Sequence, residues 1–176
     1  YSACSTVRRI NAYRHAGIIE AAYYLDDMNV EIIADGKHLP QSLLKLIYKI
    51  KGHDRICLVT DAISAAGLSP DLGEIYDMSS KQTIIIEDGV GKLKDRSAFA
   101  GSIATSDRLV RNMVKLADVP LVSAVKMMSF NPAKLVGMDN KKGSIAPGMD
   151  ADLIMFDDDI QIKKVIVGGQ EVYSGQ

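Results

Sequence analysis

Apolar positions along the chain change rhythm several times, and each rhythm predicts an element. From Gly17 onward, Ile18, Ile19, Ala21, Ala22 and Leu25 fall at helical spacing, which predicts a helix ending near Asp26 and Asp27. Residues 30–34 then read as a short strand carried by Val30, Ile32 and Ile33. Pro40 suits the first turn of a helix. Leu43, Leu44, Leu46, Ile47 and Ile50 supply its buried stripe, and Gly52 its stop. Ile56, Cys57, Leu58 and Val59 are four consecutive apolar residues, the pattern of a strand covered on both faces in a parallel sheet. Residues 16–60 therefore read helix, strand, helix, strand with short connections, which signals parallel β/α units.

After Gly67 the texture changes. Residues 81–87 and 90–93 flank Asp88-Gly89 and predict a β-hairpin with a two-residue turn. Ser106 reads as an N-cap before Leu109, Val110, Met113 and Val114. A second helix spans about 121–129. Asn131-Pro132 predicts a cap with proline at the first helical position, and Gly137 ends that short third helix. In the tail, 151–156, 165–167 and 170–173 read as strands, the last two joined at Gly168-Gly169. Residues 1–15 are polar and basic, with Arg8, Arg9, Arg14 and His15, and read as a loop. No internal repeat or low-complexity linker interrupts the chain.

Composition narrows the class. The 176 residues are 47% hydrophobic with a formal net charge of -1, enough for a real core in one or two domains. Near-neutral charge gives no electrostatic reason to expect nucleic acid or an anionic membrane as partner. No apolar run approaches the roughly 18 residues that span a bilayer. Cys4 and Cys57 lie far apart without metal-type spacing, and Cys57 reads as a small buried hydrophobe in a reducing compartment. No signal peptide is apparent, so the cytoplasm is the expected location. The chain begins at Tyr1 without a methionine, which suggests a fragment or a processed product.

The candidate chemistry gathers around strand ends. The apolar run 56–59 stops on Thr60 and Asp61, and small residues follow to Gly67. Asp61 has two readings: a cap on a short helix or turn, or an acid/base at the carboxyl end of a barrel strand. Two further polar clusters flank the strands, Arg14-His15 in the first loop and Asp35-Gly36-Lys37-His38 after residues 30–34. Taken singly, His38 is a loop histidine before a helix and Arg14 a solvated charge. In a parallel barrel all three clusters would meet on one face.

Ile33-Ala34-Asp35-Gly36-Lys37-His38, Leu58-Val59-Thr60-Asp61-Ala62 with Ala65-Ala66-Gly67, and Ala100-Gly101-Ser102 resemble segments of the N-acetylglucosamine-6-phosphate deacetylases, in the amidohydrolase superfamily. Asn131-Pro132-Ala133, 142–148 and Ala151-Asp152-Leu153 continue the match in the same order; the last stretch is shared widely among amidohydrolases. The resemblance spans nearly all 176 residues and corresponds to the C-terminal half of such an enzyme. It implies an α/β fold: residues 1–142 as the C-terminal part of a metal-dependent (β/α)8 TIM barrel, and 143–176 as C-terminal strands of a small β-sandwich. Residues 30–34 and 56–60 would be the seventh and eighth barrel strands.

The resemblance also implies roles. Asp61 would be the catalytic aspartate. His38, with the backbone of Asp35, Gly36 and Lys37, would hold the sugar phosphate, and Phe99, Ala100 and Gly101 would line the same pocket. Ser2 and Ala3 would touch substrate, Ser2 standing where the family usually has asparagine. Arg14 would reach the phosphate of a neighbouring subunit in a homodimer. Arg14-His15-Ala16-Gly17 replaces the more usual Arg-Glu-Pro-Gly, which leaves Arg8 and Arg9 as alternative anchors. The implied cofactor is a divalent metal, zinc or iron, with its protein ligands upstream of Tyr1 and none in this chain. The expected reaction is hydrolysis of the acetamide of N-acetylglucosamine 6-phosphate, with the isolated fragment inactive. The alternatives are a dihydroorotase-like or aminoacylase-like amidohydrolase, or a non-catalytic fragment that binds sugar phosphate.

Overall fold

The computed structural model describes residues 5–78 and 80–175, so Ser2 and Ala3 lie outside the described residues. Where a loop was expected in 1–15, β1 (Arg8–Ile10) and β2 (Tyr13–His15) form an antiparallel hairpin in which Arg9 faces Arg14 and Arg8 faces His15. Asn11 and Ala12 make its turn with φ of 48° and 70°. That turn lacks the glycine that usually marks such a hairpin, and the strands show no apolar alternation. Helix α1 (Ile18–Tyr24) follows. Glu20 in its first turn accepts hydrogen bonds from the Gly17 amide at 2.9 Å and from the Thr6 amide at 3.0 Å.

The two parallel strands expected from the apolar runs are present, each slightly shorter than read. β3 (Val30–Ile32) pairs in parallel with β4 (Ile56–Leu58), Val30 opposite Ile56 and Ile32 opposite Leu58. Helix α2 (Gln41–Lys51) links them, ending at Gly52 as expected. Pro40 is its N-cap residue, just outside the first turn. Only part of the expected stripe is buried: Leu44 and Ile47 are, whereas Leu46 and Ile50 stay exposed. Lys51 is buried instead, because its ammonium donates to the carbonyls of Ala22 and Leu25 at 2.9 and 2.8 Å, satisfying the end of α1.

The expected hairpin is the middle of a four-stranded antiparallel sheet in the order β5–β6–β7–β8. β5 (Gly73–Asp77), β6 (Gln82–Glu87), β7 (Val90–Leu93) and β8 (Phe99–Gly101) include two strands that sequence patterning did not single out. Ile84 and Ile86 of β6 pack with Ala65 and Ile103 into a small separate core.

Helices α3 (Ser106–Lys115), α4 (Leu121–Met128) and α5 (Phe130–Leu135) all touch β4. Leu109, Met113, Ala124 and Met127 close over Ile32, Ile56 and Leu58 to form the main core. Burying side chains of this size is worth roughly 1.5–3 kcal/mol each, which accounts for β4 being apolar at every position. Thr105, not Ser106, is the N-cap residue of α3. Asn131 is likewise not a cap, since Ser129 takes that place and Asn131 lies inside α5. Its buried amide donates to the carbonyls of His53 at 2.6 Å and Ile56 at 2.8 Å, joining α5 to the start of β4. The tail forms a three-stranded antiparallel sheet of β9 (Leu153–Phe156), β10 (Ile162–Val167) and β11 (Gln170–Ser174). β10 and β11 turn at Gly168-Gly169 as expected.

Candidate active site

The carboxyl ends of β3 and β4 open into a cavity of about 440 Å³ lined by Ile33, His38, Asp61, Ala62, Ile63 and all three residues of β8. That volume lies within the range of small-molecule sites. A larger cavity of about 710 Å³ runs between α3, α4 and β9, but its floor is apolar and it holds neither Asp61 nor His38. Asp61 and His38 meet in the smaller cavity.

Asp61 stands at its edge, exposed, with its backbone in the left-handed region at φ 48°. Aspartate tolerates this conformation better than most residues, and such outliers persist where the surroundings impose them. Here the imposition is visible. The Ser102 amide donates to the Asp61 carbonyl at 3.1 Å, and the Ile63 amide donates to the Ser102 carbonyl at 3.0 Å. Ala62 and Ser102 form a parallel bridge, so the chain leaving β4 is stitched to the chain leaving β8. Gly101 makes this approach possible: at its φ of 117°, a Cβ would sit 2.5 Å from Ile63 Cγ2. Asp61 caps no helix, and among the described residues its carboxylate has no hydrogen-bond partner.

His38 is oriented by Asp35. The ring Nδ1 lies 2.8 Å from Asp35 Oδ2, while Asp35 Oδ1 accepts the amides of Lys37 and His38, each at 2.9 Å. Asp35 is 2% exposed. Burial pushes its carboxyl upward, but the His38 hydrogen bond and the two amides outweigh that, and the net displacement is below the ordinary value. A carboxylate can only accept, so Nδ1 carries the hydrogen and Nε2 is left for a ligand. The Phe99 ring lies 4.9 Å from the His38 ring, tilted by 56°, and forms the opposite wall.

The expected phosphate loop is thus more specialised than its sequence suggested. The amides of Lys37 and His38 are committed to Asp35. Gly36 faces helix α3, its hypothetical Cβ 3.2 Å from Leu116. Asp35, Gly36 and Lys37 do not line the cavity, and the loop contributes the His38 ring. Arg14 lies on the exposed β2 strand and does not line the cavity either. The structure therefore brings together Asp61, His38, Phe99, Ala100 and Gly101, and leaves Arg14 outside that group.

Ile33, Ala62 and Ile63 complete the lining without having been singled out. The last two adjoin Asp61 in sequence, and apolar residues there were legible only as strand and loop. Two α3 residues were also missed. Asn112 Nδ2 donates to the Ala34 carbonyl at 2.9 Å and Arg108 Nη2 to the Asp35 carbonyl at 3.1 Å. Nothing in a helical surface position signals such a contact. Among the described residues, no three His, Cys, Asp or Glu side chains converge into a metal centre.

Comparison with known proteins follows the same lines. The model of the amidohydrolase family matches residues 4–172. An N-acetylglucosamine-6-phosphate deacetylase of Lysinibacillus sphaericus is 32% identical over 158 residues, covering 90% of this chain and 39% of the relative. A putative N-acetylgalactosamine-6-phosphate deacetylase of Escherichia coli K12 is 32% identical over 158 residues, 90% of this chain and 91% of the relative. The crystal structure of the N-acetylglucosamine-6-phosphate deacetylase of Thermotoga maritima superposes with a TM-score of 0.81 at 35% identity, covering 91% of this chain and 42% of that one. A Mycobacterium smegmatis aspartate-to-alanine variant, in complex with N-acetyl-D-glucosamine-6-phosphate, has a TM-score of 0.81 at 28% identity, with 96% and 43% covered. The chain spans about two fifths of the length of most of these relatives.

Proposed function

Since the chain belongs to the amidohydrolase family, we propose that it is part of an enzyme hydrolysing the acetamide of N-acetylglucosamine 6-phosphate to glucosamine 6-phosphate and acetate. The observation that carries this reading is one cavity holding a carboxylate, Asp61, that has no hydrogen-bond partner among the described residues, beside a carboxylate-oriented imidazole, His38. Relatives of similar identity named for the glucosamine and the galactosamine sugar point to the same chemistry. The rival dihydroorotase-like and aminoacylase-like readings gain no support from them.

In this reading, residues 1–142 are the C-terminal part of a TIM barrel, with β3 and β4 as its last two strands, and 143–176 belong to a β-sandwich. Asp61 takes a proton from the water that attacks the acetamide carbonyl. It then returns that proton to the nitrogen as the carbon–nitrogen bond breaks, leaving the free amine and acetic acid, which gives up water's second proton to the amine or solvent and departs as acetate. His38 Nε2 meets the sugar or its phosphate, and Phe99, Ala100 and Gly101 shape the wall against the ring. Ser2 and Ala3 remain candidate substrate contacts. Arg14, exposed on its hairpin, is suited to reach the phosphate bound by a second copy in a homodimer.

A divalent metal, zinc or iron, belongs to the proposal for the complete enzyme. The described residues do not fit a metal centre by themselves: the cavity offers only Asp61 and His38 as ligand types, and His38 Nδ1 is held by Asp35. The proton steps assigned here rest on Asp61 alone. Among the described residues no helix is long and apolar enough to cross a membrane, and we place the enzyme in the cytoplasm.

The test is acetate release by the complete enzyme from N-acetylglucosamine 6-phosphate, its galactosamine epimer and unphosphorylated N-acetylglucosamine. Preference for a 6-phosphorylated sugar is the expected result. Equal rates with and without phosphate, or no release from either phosphorylated sugar, would remove the reading.

A further inference from the structure

The cavity lies between two walls whose chains are stitched together only where they leave β4 and β8. One wall is the carboxyl end of β3 and β4, with Ile33, His38 and Asp61; the other is β8 of the four-stranded sheet, with Phe99. Away from that stitch, one side chain also reaches from the Asp35 loop to the sheet. Arg108, in the first turn of α3, donates from Nη1 to the carbonyl of Gly89 in the β6–β7 turn, and from Nη2 to the carbonyl of Asp35, both at 3.1 Å. Gly89 is itself held through its amide, which donates to the Pro70 carbonyl at 3.1 Å. One residue after Ala34, whose carbonyl is taken by Asn112, Asp35 thus has its backbone fixed by α3 and its side chain fixed on His38.

We propose that Arg108 is a positioning residue for the substrate pocket: it fixes Asp35, and through it His38, relative to the sheet that carries Phe99. This role rests on the sugar-phosphate reading of the pocket. A guanidinium suits the task because its donors are fixed in one plane and point to two acceptors at once. A lysine ammonium is a point charge on a flexible stem and loses that fixed geometry. Both acceptors are carbonyls, so the bonds are charge-assisted on the donor side and among the stronger kind. Freed from Arg108, the Asp35 loop would keep the Asn112 contact but lose its tie to the hairpin. The stitch at Ser102 would still join the two walls, but the His38 ring, 4.9 Å from Phe99, would lose the direct hold of its own loop on the sheet. Arg108 itself does not line the cavity, so its effect on substrate is indirect.

The experiment compares the complete enzyme with its Arg108→Ala and Arg108→Lys variants. The readouts are kcat and KM for N-acetylglucosamine 6-phosphate, the melting midpoint, and hydrogen exchange at the Lys37 and His38 amides. Arg108→Ala is expected to raise KM about tenfold, the scale of one lost charge-assisted bond, with kcat changed less than threefold. Exchange at both amides should rise by a similar factor, and Arg108→Lys should fall between Ala and wild type. If Arg108→Ala does not fold, the Lys variant alone decides, by its KM and amide exchange. A lower melting midpoint with unchanged KM and unchanged amide exchange would reduce Arg108 to a structural tie and overturn the proposal. Wild-type enzyme that ignores sugar phosphates, with exchange still raised in the variants, would refute the substrate reading while upholding the positioning of His38.

Discussion

Asp35 Oδ2 and His38 Nδ1 lie 2.8 Å apart within one loop, and the second oxygen of the same carboxylate receives the amides of Lys37 and His38. One buried acid therefore sets both the path of the loop and the face that its histidine presents. The stabilisation depends on pH in a definite sense. Although burial raises the Asp35 carboxyl, the bonds from His38 and the two amides bring it below its ordinary value of 3.8. A carboxyl depressed in the folded state contributes stability that is complete above its unfolded value and disappears as pH falls through the folded one.

Asp35→Asn tests that relationship. The asparagine keeps one acceptor for the loop amides but cannot hold the imidazole as a carboxylate does. The melting-midpoint gap between wild type and Asp35→Asn should be constant from neutral pH to about pH 5 and close as pH drops below about 4. Affinity for the sugar phosphate at neutral pH should fall about tenfold. A gap that persists unchanged at pH 3 would mean that the aspartate's charge is not what stabilises the loop.

Asp61→Asn should lower turnover by about 10²–10⁴-fold, the usual scale for losing a general acid/base. Substrate binding, measured by calorimetry, should stay within roughly an order of magnitude, because the carboxylate is assigned to proton transfer and not to anchoring. Turnover near wild type in the Asn variant would leave the strained backbone at φ 48° as a loop feature without chemistry.

His38→Ala and Arg14→Ala should weaken the phosphorylated sugar more than the unphosphorylated one. Each contact to a dianion is worth on the order of 1.5–3 kcal/mol. The two differ in one respect: His38 lines the cavity of its own chain, whereas Arg14 does not. If Arg14 acts across subunits, mixing Arg14→Ala chains with Asp61→Asn chains should create sites that combine an intact Asp61 with the partner's intact Arg14, and so restore part of the wild-type affinity at catalytically competent sites. Should Arg14→Ala affect both sugars equally, Arg9, directly opposite it in the hairpin, becomes the next anchor to test.

Where the sequence could be read, one local rule settled the outcome. Four apolar residues in a row at 56–59 gave β4, and Gly52 and Gly168-Gly169 gave the stop and the turn that were expected. The failures were positions where a distant partner decides. Arg8, Arg9 and Arg14 looked like a solvated loop because a two-strand hairpin with an Asn-Ala turn has no apolar signature. Asn131 looked like a cap because its true acceptors are the carbonyls of His53 and Ile56, more than 70 residues away. Lys51 carried no signal at all in the sequence, although its ammonium closes the end of α1. The site divides in the same way. Asp61 and His38 could be picked out beside strand ends, but the pairing of His38 with Asp35 and the hold of Arg108 and Asn112 on that loop depend on three-dimensional proximity.

The contact between Gly101 and Ile63 offers a test of how the two walls are joined. Gly101 has φ 117°, and a Cβ there would lie 2.5 Å from Ile63 Cγ2 and 3.6 Å from the Asp61 carbonyl. Gly101→Ala therefore meets two separate penalties: backbone strain on the order of 1–3 kcal/mol, and a clash relieved only if Ile63 moves. Ile63 lines the cavity, so its displacement should also reduce sugar-phosphate affinity. Ile63→Ala removes the clashing methyl but leaves the backbone strain in place. Gly101→Ala combined with Ile63→Ala should thus be less destabilised than the sum of the single variants, with a coupling of about 0.5–3 kcal/mol by chemical denaturation. The affinity lost in Gly101→Ala should be partly restored in the double variant. Strict additivity in both stability and affinity would show that the Ile63 side chain gives way without cost, and that the stitch between β4 and β8 does not set the shape of the pocket.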